Sequence, residues 1–119
     1  MNEKHQAGAA VFDPCVVADL TDDDMFAHVF VDKFRTLLPQ RVRRIATTLG
    51  EGDVDEALDA VRSLKVSACT VGAGELCLLG RTLEAHLRRT DLAHARIAVT
   101  GLADAAHRGD EALGAYLAA

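Results

Sequence analysis

The apolar residues of this chain recur every three or four positions through four long segments, and this spacing constrains the fold most. The first stripe consists of Phe26, Phe30, Phe34, Leu38, Val42, Ile45 and Leu49. Such spacing places apolar side chains on one face of an α-helix. No run alternates apolar and polar residues with the period of two that is typical of a strand. The sequence therefore predicts helices and no strands.

Three further segments carry similar stripes: Val54 to Val71, Leu76 to Leu87, and Ala95 to Leu117. We expect the last of these segments to form a single helix. Phe12 to Leu20 could form a short helix before them, with Pro14 in its first turn. Each amphipathic helix has to bury its apolar face, and an antiparallel bundle achieves this at the least cost. We predict an all-α fold, an antiparallel up-down four-helix bundle with a short extra N-terminal helix.

Two features of the first long segment predict how its helix begins and whether it stays continuous. Thr21 and Asp24 form a capping pattern, in which the threonine is the N-cap and acidic residues lie at the positive end of the helix dipole. Pro39 lies inside the stripe and is expected to kink the helix or divide it into two segments.

Length and charge exclude several classes of function. The chain has 119 residues and a formal net charge of −5. This length suits one domain, and the negative charge disfavours a nucleic-acid-binding protein, which usually needs a basic face. We interpret the local basic cluster of Arg41, Arg43 and Arg44 as a solvated helix face. We predict a flexible N-terminal tail at residues 1–11 and a single domain at residues 12–119.

The cysteines and the hydropathy of the chain predict its compartment. Cys15, Cys69 and Cys77 are odd in number and form no Cys-x-x-Cys pair. This pattern is typical of a reduced protein in which cysteine packs as a small apolar residue. No segment approaches the roughly 18–20 apolar residues of a membrane span, and the first ten residues lack the apolar run of a signal peptide. We predict a cytoplasmic protein without a cofactor or a membrane partner.

One short run in the second long helix resembles a known signature. Residues 61–68 read Val-Arg-Ser-Leu-Lys-Val-Ser-Ala, after a Gly-Asp helix start and before a Val-Gly-Ala stop. They resemble the signature of the histidine phosphotransfer (HPt) family, roughly Ala-His-Ser-Leu-Lys-Gly-Ser-Ala followed by Leu-Gly-Ala. Two positions differ: Arg62 replaces the phospho-accepting histidine, and Val66 replaces the glycine four residues later.

The resemblance extends from about Phe26 through Arg89 and implies a role in phosphorelay signalling. In that family the histidine projects into solvent, a receiver domain of a response regulator docks around it, and phosphate passes between a receiver aspartate and the imidazole. The receiver's site is a cluster of carboxylates that binds a divalent cation. Lys65 matches the family's lysine, which helps to balance the phosphate charge, and Ser67 also matches.

The arginine at position 62 is incompatible with that chemistry. An imidazole has a pKa near about 6.5 and offers a nucleophilic lone pair at neutral pH. A guanidinium stays protonated, since its pKa lies above about 12. The methyls of Val66 would also crowd position 62. We therefore predict no catalytic residue, and a pseudo-phosphotransfer domain that docks on a receiver domain or a histidine kinase without accepting phosphate.

Helical geometry identifies the docking face. Arg62 lies about 100° around the helix from the inward-facing Val61, so its side chain points outward. The residues predicted to bind the partner are Arg62, Lys65, Val66, Asp59 and Cys69. A structural alternative is that Arg62 is simply exposed and paired with Asp59.

Two other functions stay open. The first is an active phosphotransfer protein that uses another histidine, of which His86 is the best candidate because its helix packs beside that of Arg62. The second is a helical interaction or oligomerisation domain unrelated to phosphorelay, and the sequence does not fix the oligomeric state. We predict no metal site, because Glu84 and His86 diverge by about 200° and Cys69 and Cys77 lie too far apart for a local zinc pair.

Overall fold

The computed structural model describes residues 9–119, and the regular structure in this part of the chain is entirely helical. The α-helices are α1 (Pro14–Leu20), α2 (Asp24–Glu51), α3 (Val54–Val71), α4 (Gly74–Arg88), α5 (Leu92–Ala98) and α6 (Leu102–Ala118), with a 3-10 turn at Val99–Gly101. The all-α prediction is confirmed for these residues. Most of the predicted tail, residues 1–8, lies outside the described residues.

Helices α2, α3, α4 and α6 form a four-helix bundle in which each helix packs against two of the others. Helix α1 packs against α2 and α3, and α5 packs against α2 and α4. The predicted stripes supply the core, whose largest members include Phe34, Ile45, Leu49, Val61, Leu64, Leu76, Leu83, Leu87, Leu102 and Leu113. Burial of each such side chain contributes about 1.5–3 kcal/mol. The predicted bundle and its short N-terminal helix are confirmed.

Helix α2 begins two residues later than the capping pattern predicts. Asp23 is the N-cap, and its carboxylate accepts the backbone N–H groups of Met25 at 3.0 Å and Phe26 at 3.2 Å. The hydroxyl of Thr21 accepts only the N–H of Asp23, at 3.0 Å. The predicted Thr21 cap is wrong because a carboxylate two residues closer to the helix, that of Asp23, satisfies two helix N–H groups. Pro39 lies within one continuous 28-residue helix, so it does not divide α2.

The predicted last helix is interrupted. Asp91 caps α5 by accepting the N–H of His94 at 3.1 Å, and the 3-10 turn then separates α5 from α6. Gly101 ends this turn, and glycine is about 1 kcal/mol less favourable than alanine inside a helix. Ala95 in α5 and Leu102 in α6, on either side of the break, are both fully buried. The prediction of a single helix was wrong because periodicity alone does not reveal such a change of axis.

The turn between α3 and α4 is closely packed against the start of α1. Gly72 ends α3 with a left-handed φ of 86°, and its carbonyl accepts the N–H of Asp13 at 2.8 Å. A Cβ at Gly72 would lie 2.5 Å from the carbonyl oxygen of Asp13. Glycine therefore suits this position for both its backbone angle and its lack of a side chain. The tight turn sets how α3 and α4 lie side by side.

A disulfide joins these two helices. Cys69 in α3 and Cys77 in α4 are bonded, with their Cα atoms 4.7 Å apart, and Cys15 is exposed and unpaired in the described part of the chain. The prediction that all three cysteines are reduced was wrong. Spacing within a single helix gives no indication of the pair, which forms because the chain folds back on itself after Gly72.

Between residues 9 and 119 there is no helix that is both long enough and apolar enough to cross a membrane.

Candidate functional site on helices α3 and α4

Helix α3 presents Arg62 on its outer face. Asp53 caps the helix by accepting the N–H of Glu56 at 3.1 Å, and Val61, Leu64 and other apolar residues of α3 are fully buried. Arg62 follows Val61 by one step, which turns its side chain away from the core. Its side chain is 47% exposed. The predicted outward direction of Arg62 is confirmed.

A carboxylate of α4 joins Arg62 and Lys65. The Arg62 Nε donates to Glu84 Oε2 at 3.0 Å, and the Lys65 Nζ donates to Glu84 Oε1 at 2.7 Å. The Glu84 side chain is only 11% exposed. We refer to Arg62, Lys65 and Glu84 as the Glu84 cluster. The two cations predicted to face the partner therefore share one buried anion.

The cluster keeps its carboxylate ionised. The hydrogen bond from Lys65 contributes most to lowering the pKa of the Glu84 carboxyl below its ordinary value, and the hydrogen bond from Arg62 comes next. Burial acts in the opposite direction but is outweighed, and the nearby positive charge of Arg88 adds a further lowering. Glu84 is therefore a fixed negative charge at neutral pH that orients both cations.

The other predicted partner-binding residues have different surroundings. Val66 is 58% exposed and lies one helical turn after Arg62. Asp59 accepts a hydrogen bond from Arg44 at 2.9 Å, so the suggested pairing of Arg62 with Asp59 was wrong. The Cys69 sulfur is bonded to Cys77 and offers no thiol to a partner. Whether these residues bind a partner stays a prediction.

The sequence contains an indication that Glu84 pairs with Arg62, but it lies in the spacing across the turn and not within one helix. Cys69 and Cys77 lie four residues on either side of Ala73, and Arg62 and Glu84 lie eleven residues on either side of it. A short turn between antiparallel helices pairs residues symmetrically in this way. Counting outward from the turn would have paired Arg62 with Glu84.

A surface groove lies between α2 and α3. It has a volume of about 350 Å³ and is lined by Phe30, Lys33, Phe34, Leu37, Arg41 and Ser67. Ser67 supplies the α3 side of the lining, and it lies one step, about 100° around the helix, from the exposed Val66. The apolar pattern predicted Phe34 as a core residue and Arg41 as solvated, but it did not predict a groove, because a groove depends on the packing of two helices.

His86 has an environment unlike that of Arg62. Its ring stacks on His94 of α5 with the centroids 5.5 Å apart, and its Nδ1 is buried without a hydrogen-bond partner among the described residues. Glu84 lies about 200° around α4 from His86. His86 therefore does not share the face of the cluster. In residues 9–119 no group of three or more His, Cys, Asp or Glu could hold a metal ion.

Comparisons with known proteins agree with this architecture. The histidine-containing phosphotransfer protein B (HptB) from Pseudomonas aeruginosa PAO1 superposes with a TM-score of 0.83 at 22% identity, covering 92% of this chain and 96% of that one. The HPT domain from the Hpt sensor hybrid histidine kinase from Shewanella gives a TM-score of 0.77 at 20% identity, with coverage of 87% and 90%. At these identities the likeness establishes the fold.

The sequence was also compared with curated proteins and with family models. No curated protein matches it. The model of the Hpt domain matches residues 29–114, which include all of α3 and α4 and therefore the whole Glu84 cluster. Because this match spans well over half of the sequence, the chain belongs to the Hpt domain family.

Proposed function

We propose that this chain docks on the receiver domain of a response regulator and accepts no phosphate. Hpt domains of phosphorelay signalling are carriers of phosphoryl groups rather than catalysts, and they interact with response regulators and histidine kinases. The observation that carries the proposal is Arg62, which is hydrogen-bonded to Glu84 and which the sequence resemblance aligns with the acceptor histidine. A guanidinium has no nucleophilic lone pair near neutral pH.

The surroundings of Arg62 support binding. The exposed Val66 offers an apolar contact, and the groove between α2 and α3 is lined by apolar side chains together with Lys33 and Arg41. Interfaces commonly combine an apolar centre with a charged rim that selects the partner. The cations on this face suit an acidic partner surface, such as the carboxylate cluster of a receiver. The net charge of −5 makes this basic face local rather than general.

The test is a binding titration of the full chain against receiver domains from the same organism. Arg62→Glu is expected to weaken binding at least about tenfold, since like charges across an interface cost several kcal/mol. Arg43→Glu is the matched control, because Arg43 is an exposed arginine of α2 with no hydrogen bond among the described residues. Unchanged affinity of Arg62→Glu would contradict the proposal.

A phosphotransfer assay on the same preparations completes the test. The wild-type chain is expected to take up no phosphate from a phosphorylated receiver. Uptake that disappears in His86→Gln would instead support the alternative of an active carrier that uses His86. Absence of binding to every receiver would favour a helical interaction or oligomerisation domain.

A further inference from the structure

The guanidinium of Arg62 is engaged differently from those of three other arginines. Arg35, Arg96 and Arg108 each donate from both Nε and Nη2 to one acceptor group. Arg62 donates to Glu84 through Nε alone, at 3.0 Å. No other residue between 9 and 119 accepts a hydrogen bond from its two Nη groups. One edge of this half-exposed guanidinium is therefore available for a ligand.

The division of the Glu84 carboxylate explains this open edge. Lys65 donates to Oε1 at 2.7 Å, and Arg62 donates to Oε2 alone. An arginine usually meets a carboxylate with two parallel hydrogen bonds when both oxygens are accessible. Lys65 therefore competes with Arg62 for the Glu84 carboxylate, and Arg62 does not close onto it as a fork.

Local charge indicates which class of ligand the edge would take. Arg62, Lys65 and Arg88 place three positive charges around the single negative charge of Glu84, an excess of two. Asp59, the nearest carboxylate earlier on α3, is 73% exposed and paired with Arg44, so its charge is screened by solvent. A phosphoryl group carries about −1.5 to −2 charges near neutral pH and has three acceptor oxygens. A carboxylate carries only one charge and has two oxygens.

We propose that the Nη groups of Arg62 bind the phosphoryl group of a phosphorylated aspartate on the docked receiver. The inference rests on the proposed function and adds the state of the partner that is recognised. Arginine binds phosphate oxygens through two parallel hydrogen bonds, and Lys65 and Arg88 contribute positive charge nearby. No bond to phosphorus forms or breaks, so the phosphoryl group stays on the aspartate. The chain then distinguishes phosphorylated from unphosphorylated receivers.

The experiment titrates the full chain with one receiver domain in two forms. One form is unmodified in the presence of Mg²⁺, and the other carries beryllofluoride, which mimics a phosphoryl group on aspartate. The beryllofluoride form is expected to bind at least about tenfold more tightly, as for one added charge-assisted fork. Arg62→Ala removes this preference. Arg62→Lys, which keeps the charge but not the fork, restores only part of it, and the control Arg43→Ala leaves it unchanged.

The outcomes separate this inference from the docking proposal. Equal affinity of wild type for the two forms would overturn the phosphoryl site while leaving docking intact. Absence of binding to either form would overturn the docking proposal itself. A preference that persists in Arg62→Ala, with an unchanged melting temperature, would assign phosphoryl recognition to other residues and overturn the role of Arg62.

A titration with inorganic phosphate tests whether the ligand is a phosphorylated receiver or a free anion. Inorganic phosphate is expected to bind far more weakly than the beryllofluoride form of the receiver, because the groove and Val66 then contribute nothing. Inorganic phosphate that binds as tightly as the receiver would show that the ligand is a free anion, which contradicts the assignment.

Discussion

The two sides of α4 use the same kind of ion pair in different ways. Towards α6, Arg108 donates from Nε at 3.0 Å and from Nη2 at 2.6 Å to the two oxygens of Glu75. Towards α3, the two oxygens of Glu84 are divided between Arg62 and Lys65. The two arginines are nearly equally exposed, at 49% and 47%.

The difference shows that exposure alone does not make a cation available. Arg108 donates through the Nε–Nη2 fork to both oxygens of one carboxylate and holds α6 against α4. Arg62 shares its carboxylate with Lys65 and donates to it through Nε alone. The hydrogen bonds that Arg62 makes therefore depend on Lys65, so the exposure of Arg62 alone does not describe its state.

The largest expected effect is the conversion of the α3 side into a phosphate acceptor. Arg62→His with Val66→Gly restores an imidazole and removes the methyls beside it. Phosphate uptake from a phosphorylated receiver should rise from background to near stoichiometric levels. Incorporated phosphate per chain is the measurement.

Two controls sharpen this conversion. Arg108→His places a histidine opposite a carboxylate on the α6 side and should take up no phosphate, since it lies outside the proposed docking face. Val66→Gly alone should also stay at background. A folded double variant that binds the receiver but remains unphosphorylated would show that more than these two positions separates the chain from an active carrier.

The next largest effect is expected from the disulfide, which only the α3 side of α4 has. Breaking Cys69–Cys77 should lower the free energy of unfolding by about 2.5 kcal/mol, because the unfolded chain regains the entropy of a short closed loop. Urea unfolding with and without a thiol reductant measures this change. The Cys69→Ser, Cys77→Ser double variant is the control, and its midpoint should not respond to reductant. A wild-type midpoint that reductant does not move, with thiol titration showing the bond reduced, would contradict the prediction.

A smaller effect on the free energy of unfolding is expected to distinguish Glu84 from Glu75. Glu84→Gln should lower the free energy of unfolding by about 2 kcal/mol, since it weakens two charge-assisted hydrogen bonds to a buried group. Glu75→Gln should lower it by no more than about 1 kcal/mol, because that pair is more exposed to solvent. Urea midpoints of the two variants are the measurement. Equal losses would mean that burial of Glu84 does not distinguish the two sides.

Local patterns predicted the bundle but not the contacts between its helices. Leu64 and Leu83 are buried as their stripes require, because helical periodicity is a property of neighbouring residues. Glu84 meets Arg62 across 22 residues, and that meeting depends on the turn at Gly72 and on the register it imposes. The pattern identified position 62 as the informative site. The partner of Arg62 follows only from counting across the turn, and the groove between α2 and α3 required tertiary structure.

The smallest expected effect is a dependence of the free energy of unfolding on pH, which comes from Glu84 on the α3 side of α4. The pKa of the Glu84 carboxyl in the folded chain lies below its ordinary value of 4.5, chiefly because of the hydrogen bond from Lys65. As the pH falls, the unfolded chain binds this proton first. The stabilisation is therefore complete above the unfolded pKa and is lost as the pH falls through the folded pKa.

The difference in stability between wild type and Glu84→Gln isolates this group from the other carboxylates. It should be constant from about pH 7 down to about pH 5 and shrink towards zero at more acidic pH, because glutamine does not titrate. Urea midpoints of both proteins across this range are the measurement. A difference that persists undiminished at about pH 3 would mean that the contribution of Glu84 does not come from its charge. The difference in stability between the two sides of α4 would then come from packing and the disulfide and not from the charge of Glu84.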